Sequence, residues 1–221
     1  MNDSNNKQEF SEGESINHRY RVVRYLGHGA MGTVYLTEDV LQVHRLVALK
    51  VLKSDNLEDP DFWSRGEYEA LTRLRHPNLA RVYDFGRVHD SEDFYIVSEF
   101  IRGTDLLSDV KDIKHDDLLD VIAQICRALE YIHTQGYVHF DVKPDNILVT
   151  HEQSIGQDEG SKVQWNPDLI GGSSHGGGGP AKVKLIDFGL AERITGSFDF
   201  AIKGTFNYVA PEILRGQTPD K

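Results

Sequence analysis

Cysteine is all but missing from these 221 residues: Cys126 stands alone, so no internal disulfide can form and a reducing compartment is expected. Within a helical pattern, Cys126 reads as a small apolar residue on one face. Long apolar runs are lacking as well. No window approaches the ~18 apolar residues of a membrane span, and Met1-Asn2-Asp3-Ser4-Asn5-Asn6 has neither a basic start nor an apolar run after it. A cytoplasmic location follows as the expectation, with no membrane segment in this chain. Basic residues are also short, 24 Lys and Arg against 35 Asp and Glu for a formal net charge of -11, which argues against nucleic acid or an anionic membrane as a partner. Residues 1–16 offer little beyond Phe10 and Ile16 to bury, so they read as a disordered acidic tail. What remains is ordinary for a soluble protein, 39% hydrophobic and 27% charged. The length suffices for one sizeable core or for two lobes.

The chain is organised around Val138-His139-Phe140-Asp141-Val142-Lys143-Pro144-Asp145-Asn146-Ile147-Leu148-Val149, an apolar run interrupted by a polar loop. A carboxylate, an ammonium and a carboxamide at this spacing suit phosphoryl transfer, which needs positioning and charge neutralisation more than covalent help. Asp141 could accept a hydroxyl proton, Lys143 could neutralise a phosphoryl group, and Asn146 could give a metal ion an oxygen. The segment resembles the catalytic loop of protein kinases, H-R-D-x-x-x-x-N, with Phe140 at the arginine position.

Other stretches follow in the order this resemblance implies. Strand-like residues from Tyr20 lead into Gly27-His28-Gly29-Ala30-Met31-Gly32-Thr33-Val34, where glycines let backbone approach phosphate oxygens. A lone G-x-G-x-x-G is weak, because dinucleotide-binding folds use one too. Here Val34-Tyr35-Leu36 continues as a strand, not as the helix of that alternative, and the whole is similar to the kinase glycine-rich loop. Arg45 to Leu52 alternates through Val47-Ala48-Leu49-Lys50, similar to the family's V-A-I-K strand. Asp59-Pro60 caps a helix expected to end near His76-Pro77. On it Glu67, preferred to Glu69, matches the glutamate that pairs with the strand lysine. Leu79 to Arg87 and Phe94 to Ser98 read as strands. Asp116 to Gln135 reads as a helix with Leu118, Ile122, Ile125, Leu129 and Ile132 on one face and Gly136 as its stop. Residues 151–181 have no periodicity and read as a flexible insertion. Val183-Lys184-Leu185-Ile186 then leads into Asp187-Phe188-Gly189, similar to the family's D-F-G, and Gly204-Thr205 with Tyr208-Val209-Ala210-Pro211-Glu212 resembles the ending of serine/threonine-directed members.

The resemblance implies an α+β, two-lobe kinase fold: a small antiparallel sheet with one long helix over about 18–98, a hinge at 99–103, and a mostly helical but incomplete lobe over 104–221. ATP is implied between the lobes, with Mg2+. Gly27, Gly29 and Gly32 would cover the phosphates, and Lys50, oriented by Glu67, would hold their oxygens. Leu26, Val34, Ala48 and Leu148 would enclose the adenine, whose edge would meet backbone near Glu99 and Ile101, with Ser98 as gatekeeper. Asp105 would meet the ribose or simply charge a helix start. Asn146 and Asp187 would hold magnesium, Asp141 and Lys143 would act on the acceptor hydroxyl and γ-phosphoryl, and Thr205 would bond both. The implied activity is that of a serine/threonine protein kinase with a protein substrate.

Two departures matter. Phe140 replaces an arginine that clamps phosphorylated activation loops, so phosphorylation of Thr195, Ser197 or Thr205 is not expected to be the main switch. The sequence stops at Lys221, where the family continues into further helices, so further domains or a second chain are expected to complete the lobe. Two other readings stand beside the kinase: an inactive remnant that binds ATP or a partner, and a small-molecule phosphotransferase, which Lys143 and the A-P-E ending disfavour.

Overall fold

Alternating apolar and polar residues build strands, and their register decides which face is buried. In the computed structural model, residues 10–29, 32–54, 71–110, 115–151, 181–188, 191–193 and 205–215 are described. They belong to two compact units, one of residues up to 75 with 81–100, the other of 76–80 with 101–221.

Among the described residues the first unit forms an antiparallel sheet of six strands, β1 (Ser15–Ile16), β2 (Tyr20–Gly29), β3 (Gly32–Asp39), β4 (Arg45–Leu52), β5 (Val82–Arg87) and β6 (Phe94–Glu99), in the order β1-β2-β3-β4-β6-β5. One face carries the core: Tyr35, Val47, Leu49, Val51, Tyr95 and Val97 pack with Ile16, Tyr20, Val22 and Val88. The alternate residues of β4, Ala48 and Lys50, are half-buried on the opposite face.

The tail expected over residues 1–16 is corrected only over 10–16, residues 1–9 lying outside the described residues. From Phe10 onward it joins this core, with Ile16 1% exposed and the Phe10 ring meeting Tyr35 edge-on at 5.9 Å. The Phe10 amide donates to Tyr35 Oη at 3.3 Å, the Gly13 amide to the Val22 carbonyl at 2.8 Å, and the Val22 amide to the Glu14 carbonyl at 2.7 Å. Two apolar side chains suffice when the sheet already offers a surface; burying an isoleucine is worth about 1.5–3 kcal/mol. The turn after β1 runs through Asn17 and His18, both at positive φ. Asn17 fixes it by donating to the Arg87 carbonyl and accepting from the His89 amide, both at 2.8 Å.

Beside that turn, Arg19 grips Asp39 with two hydrogen bonds of 2.9 and 2.8 Å and reaches Asp84 at 2.8 Å. Tyr20 donates to Asp84 at 2.6 Å. The Arg19 guanidinium holds the buried Asp39 carboxyl below the usual carboxylate range, against the opposing effect of burial.

The second unit contains β7 (Thr104–Asp105), α1 (Leu106–Val110), α2 (His115–Thr134), β8 (Tyr137–Val138), β9 (Ile147–His151), β10 (Ala181–Leu185), β11 (Glu192–Arg193) and α3 (Pro211–Leu214). β10-β9-β7 form one small sheet and β11-β8 another. Helix α2 ends at Gly136, whose φ of 82° suits glycine. Its inward stripe differs from the apolar expectation: Val121, Gln124, Ala128 and Ile132 are buried, while Ile122 is 47% exposed. The polar Gln124 takes an inward place because its carboxamide finds partners there. Residues 76–80 also differ from expectation, belonging to the second unit because Ala80 N donates to the Leu185 carbonyl at 2.9 Å and Leu185 N to the Asn78 carbonyl at 2.8 Å.

Candidate active site

In the first unit, β2 and β3 form the glycine hairpin, with Gly27 opposite Val34 and Gly29 opposite Gly32. Leu26 falls in a register shift between Tyr25 and Gly27, the kind of bulge that re-aims a side chain. Register then places Val34 opposite Lys50 and Leu36 opposite Ala48, and Lys50 opposite Ile96 and Ala48 opposite Ser98. Val34, Ala48 and Lys50 therefore share the face away from the core. Gly32 has a φ of 153°, and a Cβ there would lie 1.9 Å from the Val51 carbonyl oxygen, so only glycine fits. The Glu99 amide already donates to the Arg81 carbonyl at 2.8 Å, which leaves any adenine contact at Glu99 to its carbonyl. Glu67 and Gly189, like the expected helix before residue 71 and residues 152–180 of the expected insertion, lie outside the described residues.

In the second unit, the polar loop follows β8 and is held from behind by His139, which is 1% exposed. Its Nε2 donates to the Ile186 carbonyl at 3.1 Å, while Nδ1 accepts from the Asp141 amide at 3.3 Å. An Nδ1 that accepts must be unprotonated, so with Nε2 donating the ring is neutral, and burial pushes the His139 pKa down, so structure and protonation agree. Phe140 is then forced to a φ of 61°, a genuine outlier for a bulky residue. Lys143 is extended, at φ -151° and ψ 161°, as a residue before proline must be. The one-turn helix Pro144–Asn146 brings Asn146 back over Asp141.

The Asp141 carboxylate gathers four donors. Thr205 donates to Oδ1 from its amide at 3.0 Å and from its hydroxyl at 2.7 Å. Lys143 Nζ lies 2.9 Å from Oδ2, and Asn146 Nδ2 donates to the same oxygen at 2.8 Å. Lys143 also donates to Thr205 Oγ1 at 2.7 Å, so the bonds expected of Thr205 are present. Burial pushes the Asp141 pKa up, but the Lys143 ammonium, Thr205 and Asn146 outweigh it and hold it below the usual carboxylate range. Asp141 is thus an anion at neutral pH, suited to orienting a hydroxyl and receiving a proton late.

Asn146 donates to the Asp141 carbonyl at 2.8 Å as well, which commits its amide nitrogen and turns Oδ1 to other use. The Ile186 amide donates to the Asn146 carbonyl at 2.8 Å, tying the next residue, Asp187, to this loop. Asp187 has a φ of 64°, tolerable for an aspartate. One carboxylate and one carboxamide oxygen fit magnesium, which takes few protein oxygens and keeps water or phosphate for the rest. Among the described residues no group of three or more His, Cys, Asp or Glu could hold a metal unaided. Phe188 is buried, its ring 5.3 Å from His139.

Asp105 differs from a dedicated ligand in having local partners: it accepts from the Ser108 amide at 3.0 Å and hydroxyl at 2.7 Å. That caps α1, the helix-start reading. Leu148 is half-buried between the buried Ile147 and Val149 and pairs in register with Asp105 and Lys184.

The profile of the family described as "Protein kinase domain" matches residues 20–221. This chain belongs to the protein kinase family. Among curated kinases it is 32% identical over 220 residues to the serine/threonine-protein kinase PknB of Mycobacterium leprae, covering 93% of this chain and 30% of that protein. It is 30% identical over 212 residues to the serine/threonine-protein kinase PrkC of Bacillus subtilis, covering 92% of this chain and 28% of that protein. The chain therefore spans about 30% of the length of these relatives. Among solved kinase structures, the PknI kinase domain of Mycobacterium tuberculosis matches with a TM-score of 0.64 and 26% identity, over 96% of this chain and 71% of that one. The α+β kinase fold expected from the sequence is the fold observed. No described helix is long and apolar enough to cross a membrane.

The role of His139 escaped the sequence reading. Its signal was there, two residues before Asp141 at the end of an apolar run, where a titratable residue needs a reason to be buried.

Proposed function

We propose that this chain is the catalytic domain of an ATP-dependent serine/threonine protein kinase, transferring the γ-phosphoryl group to a hydroxyl of a protein substrate. The observation that carries this reading is the carboxylate of Asp141 held by Lys143, Thr205 and Asn146. Asp141 orients the acceptor hydroxyl and takes its proton. Lys143 offsets charge on the transferring group. Thr205 holds both, and a threonine there suits an aliphatic acceptor hydroxyl. Lys50 and the backbone of Gly27, Gly29 and Gly32 are assigned to phosphate oxygens, with Glu67 as the partner of Lys50. Leu26, Val34, Ala48 and Leu148 are assigned to the adenine faces, and the Glu99 carbonyl and Ile101 amide to its edge, while Asp105 serves as the cap of α1. Asn146 and Asp187 are the magnesium residues. Bound magnesium would neutralise phosphate charge and hold the triphosphate in line.

Thermal shift with ATP and magnesium, followed by labelled-ATP transfer to a mixed protein acceptor and to small amino-alcohols, tests the reading. A stabilisation by ATP with label on protein serine or threonine supports it. Stabilisation without transfer points instead to an ATP-binding module, and label on the amino-alcohols to a small-molecule phosphotransferase.

A further inference from the structure

Gln124 is the buried carboxamide of α2, 7% exposed, and it makes a full set of hydrogen bonds. Its Oε1 accepts from Asn78 Nδ2 at 2.9 Å and from the Val183 amide at 3.0 Å. Its Nε2 donates to the Ala181 carbonyl at 2.8 Å and to Asp120 Oδ2 at 2.9 Å. Ala181 and Val183 belong to β10, which pairs with β9 along one edge. Along the other, Leu79 makes an isolated parallel bridge to Leu185, and Asn78 Nδ2 donates to the Val183 carbonyl at 2.9 Å. Over Ala181 to Val183, side chains of Gln124 and Asn78 therefore do what the backbone of a neighbouring strand would do. Buried strand groups without such partners are costly. β10 ends two residues before Asp187, and the intervening Ile186 is tied to Asn146 and His139.

We propose that Gln124 is a positioning residue: by fixing the register of β10 from the helix side, it sets Asp187 for the metal. This rests on the reading of Asp187 as a magnesium residue. The bonding partners of Gln124, namely Asn78, Asp120, Ala181 and Val183, are not among the residues assigned to nucleotide or metal, so its effect must appear in magnesium-dependent binding more than in ATP binding itself. Asn78 shares the duty on the Val183 carbonyl, and Asp120 holds the carboxamide from the solvent side.

The test uses Gln124→Met, which removes all four bonds, and Gln124→Glu at pH 8, which keeps the acceptor atom and removes the donor. ATP affinity is measured by calorimetry with and without Mg2+ on the full chain, and hydrogen exchange is followed at the Val183 and Leu185 amides. Magnesium-free ATP affinity should change by less than about twofold, while the gain on adding Mg2+ should fall by about tenfold, as for other residues that orient metal ligands. Val183 exchange should quicken well beyond that of the β4 amides. Folded variants with the parental magnesium gain and parental Val183 exchange would overturn the proposal. Should Gln124→Met not fold, Gln124→Glu decides alone. If Asp187→Ala leaves the magnesium gain intact, the magnesium reading fails, and the exchange rates then decide whether Gln124 sets the strand.

Discussion

Replacing glycines in the β2–β3 hairpin separates the demands of the fold from those of the phosphates. At Gly32 an added methyl would lie 1.9 Å from the Val51 carbonyl oxygen and 2.9 Å from its carbon, at a φ of 153°. Backbone cannot yield as a flexible side chain does, and a residue forced into such a region costs about 1–3 kcal/mol before the clash is counted. Gly32→Ala should therefore lose about 3 kcal/mol, which for a chain of this length lowers Tm by roughly 6–12 °C. At Gly27 and Gly29 a Cβ meets nothing within 4 Å among the described residues. Gly29→Ala should keep the parental Tm, yet weaken ATP by about tenfold, or 1.4 kcal/mol, because the methyl holds phosphate oxygens off the backbone. Thermal denaturation and calorimetric ATP titration check both. A Gly32→Ala protein with an unchanged Tm, or a Gly29→Ala protein with unchanged ATP affinity, refutes the reasoning for that residue.

Arg19→Met leaves the buried Asp39 with the Leu41 amide at 3.2 Å and, as its cation among the described residues, the more distant Arg45 at 3.7 Å, and should destabilise the first unit by about 3 kcal/mol in urea denaturation. Because the folded-state pKa of Asp39 is depressed, its contribution is present above the unfolded pKa and is lost as pH falls through the folded one. The parent and Arg19→Met should thus converge in stability toward strongly acid pH; a constant gap would count against the ion pair. Thr205→Val removes a donor to Asp141 and an acceptor of Lys143 and should slow transfer by about 10–100-fold, whereas Thr205→Ser should restore most of it; equal loss in both would point to packing. With Phe140 in the arginine position, complete phosphatase treatment should leave ATP turnover near its starting rate, and a fall to background would mean that phosphorylation is the switch after all.

Strand positions are legible because alternation is local: the pattern from Arg45 to Leu52 predicts a strand, and β4 spans those residues. The catalytic loop was legible because Pro144 and the spacing of Asp141, Lys143 and Asn146 fix its path within a few residues. What escaped depended on distant surfaces. Phe10 and Ile16 looked too few to order a segment, yet they enter a core that Tyr20 and Tyr35 have already built. The spacing puts Ile122 on the apolar face and leaves Gln124 unremarked; hydrogen bonds to β10, nearly sixty residues later in sequence, turn Gln124 inward instead. Asp105 could be read two ways, and Ser108 supplied the local partner that no periodicity encodes.

The account turns on Asp141 as the group that readies an aliphatic hydroxyl. The most direct measurement is the rate of label transfer from γ-labelled ATP to a mixed protein acceptor by the parent and by Asp141→Asn, with the phosphorylated residue identified. The parent should label serine and threonine, and the variant should be slower by about 100- to 1000-fold while binding ATP as tightly. Transfer by Asp141→Asn at the parental rate would contradict the account.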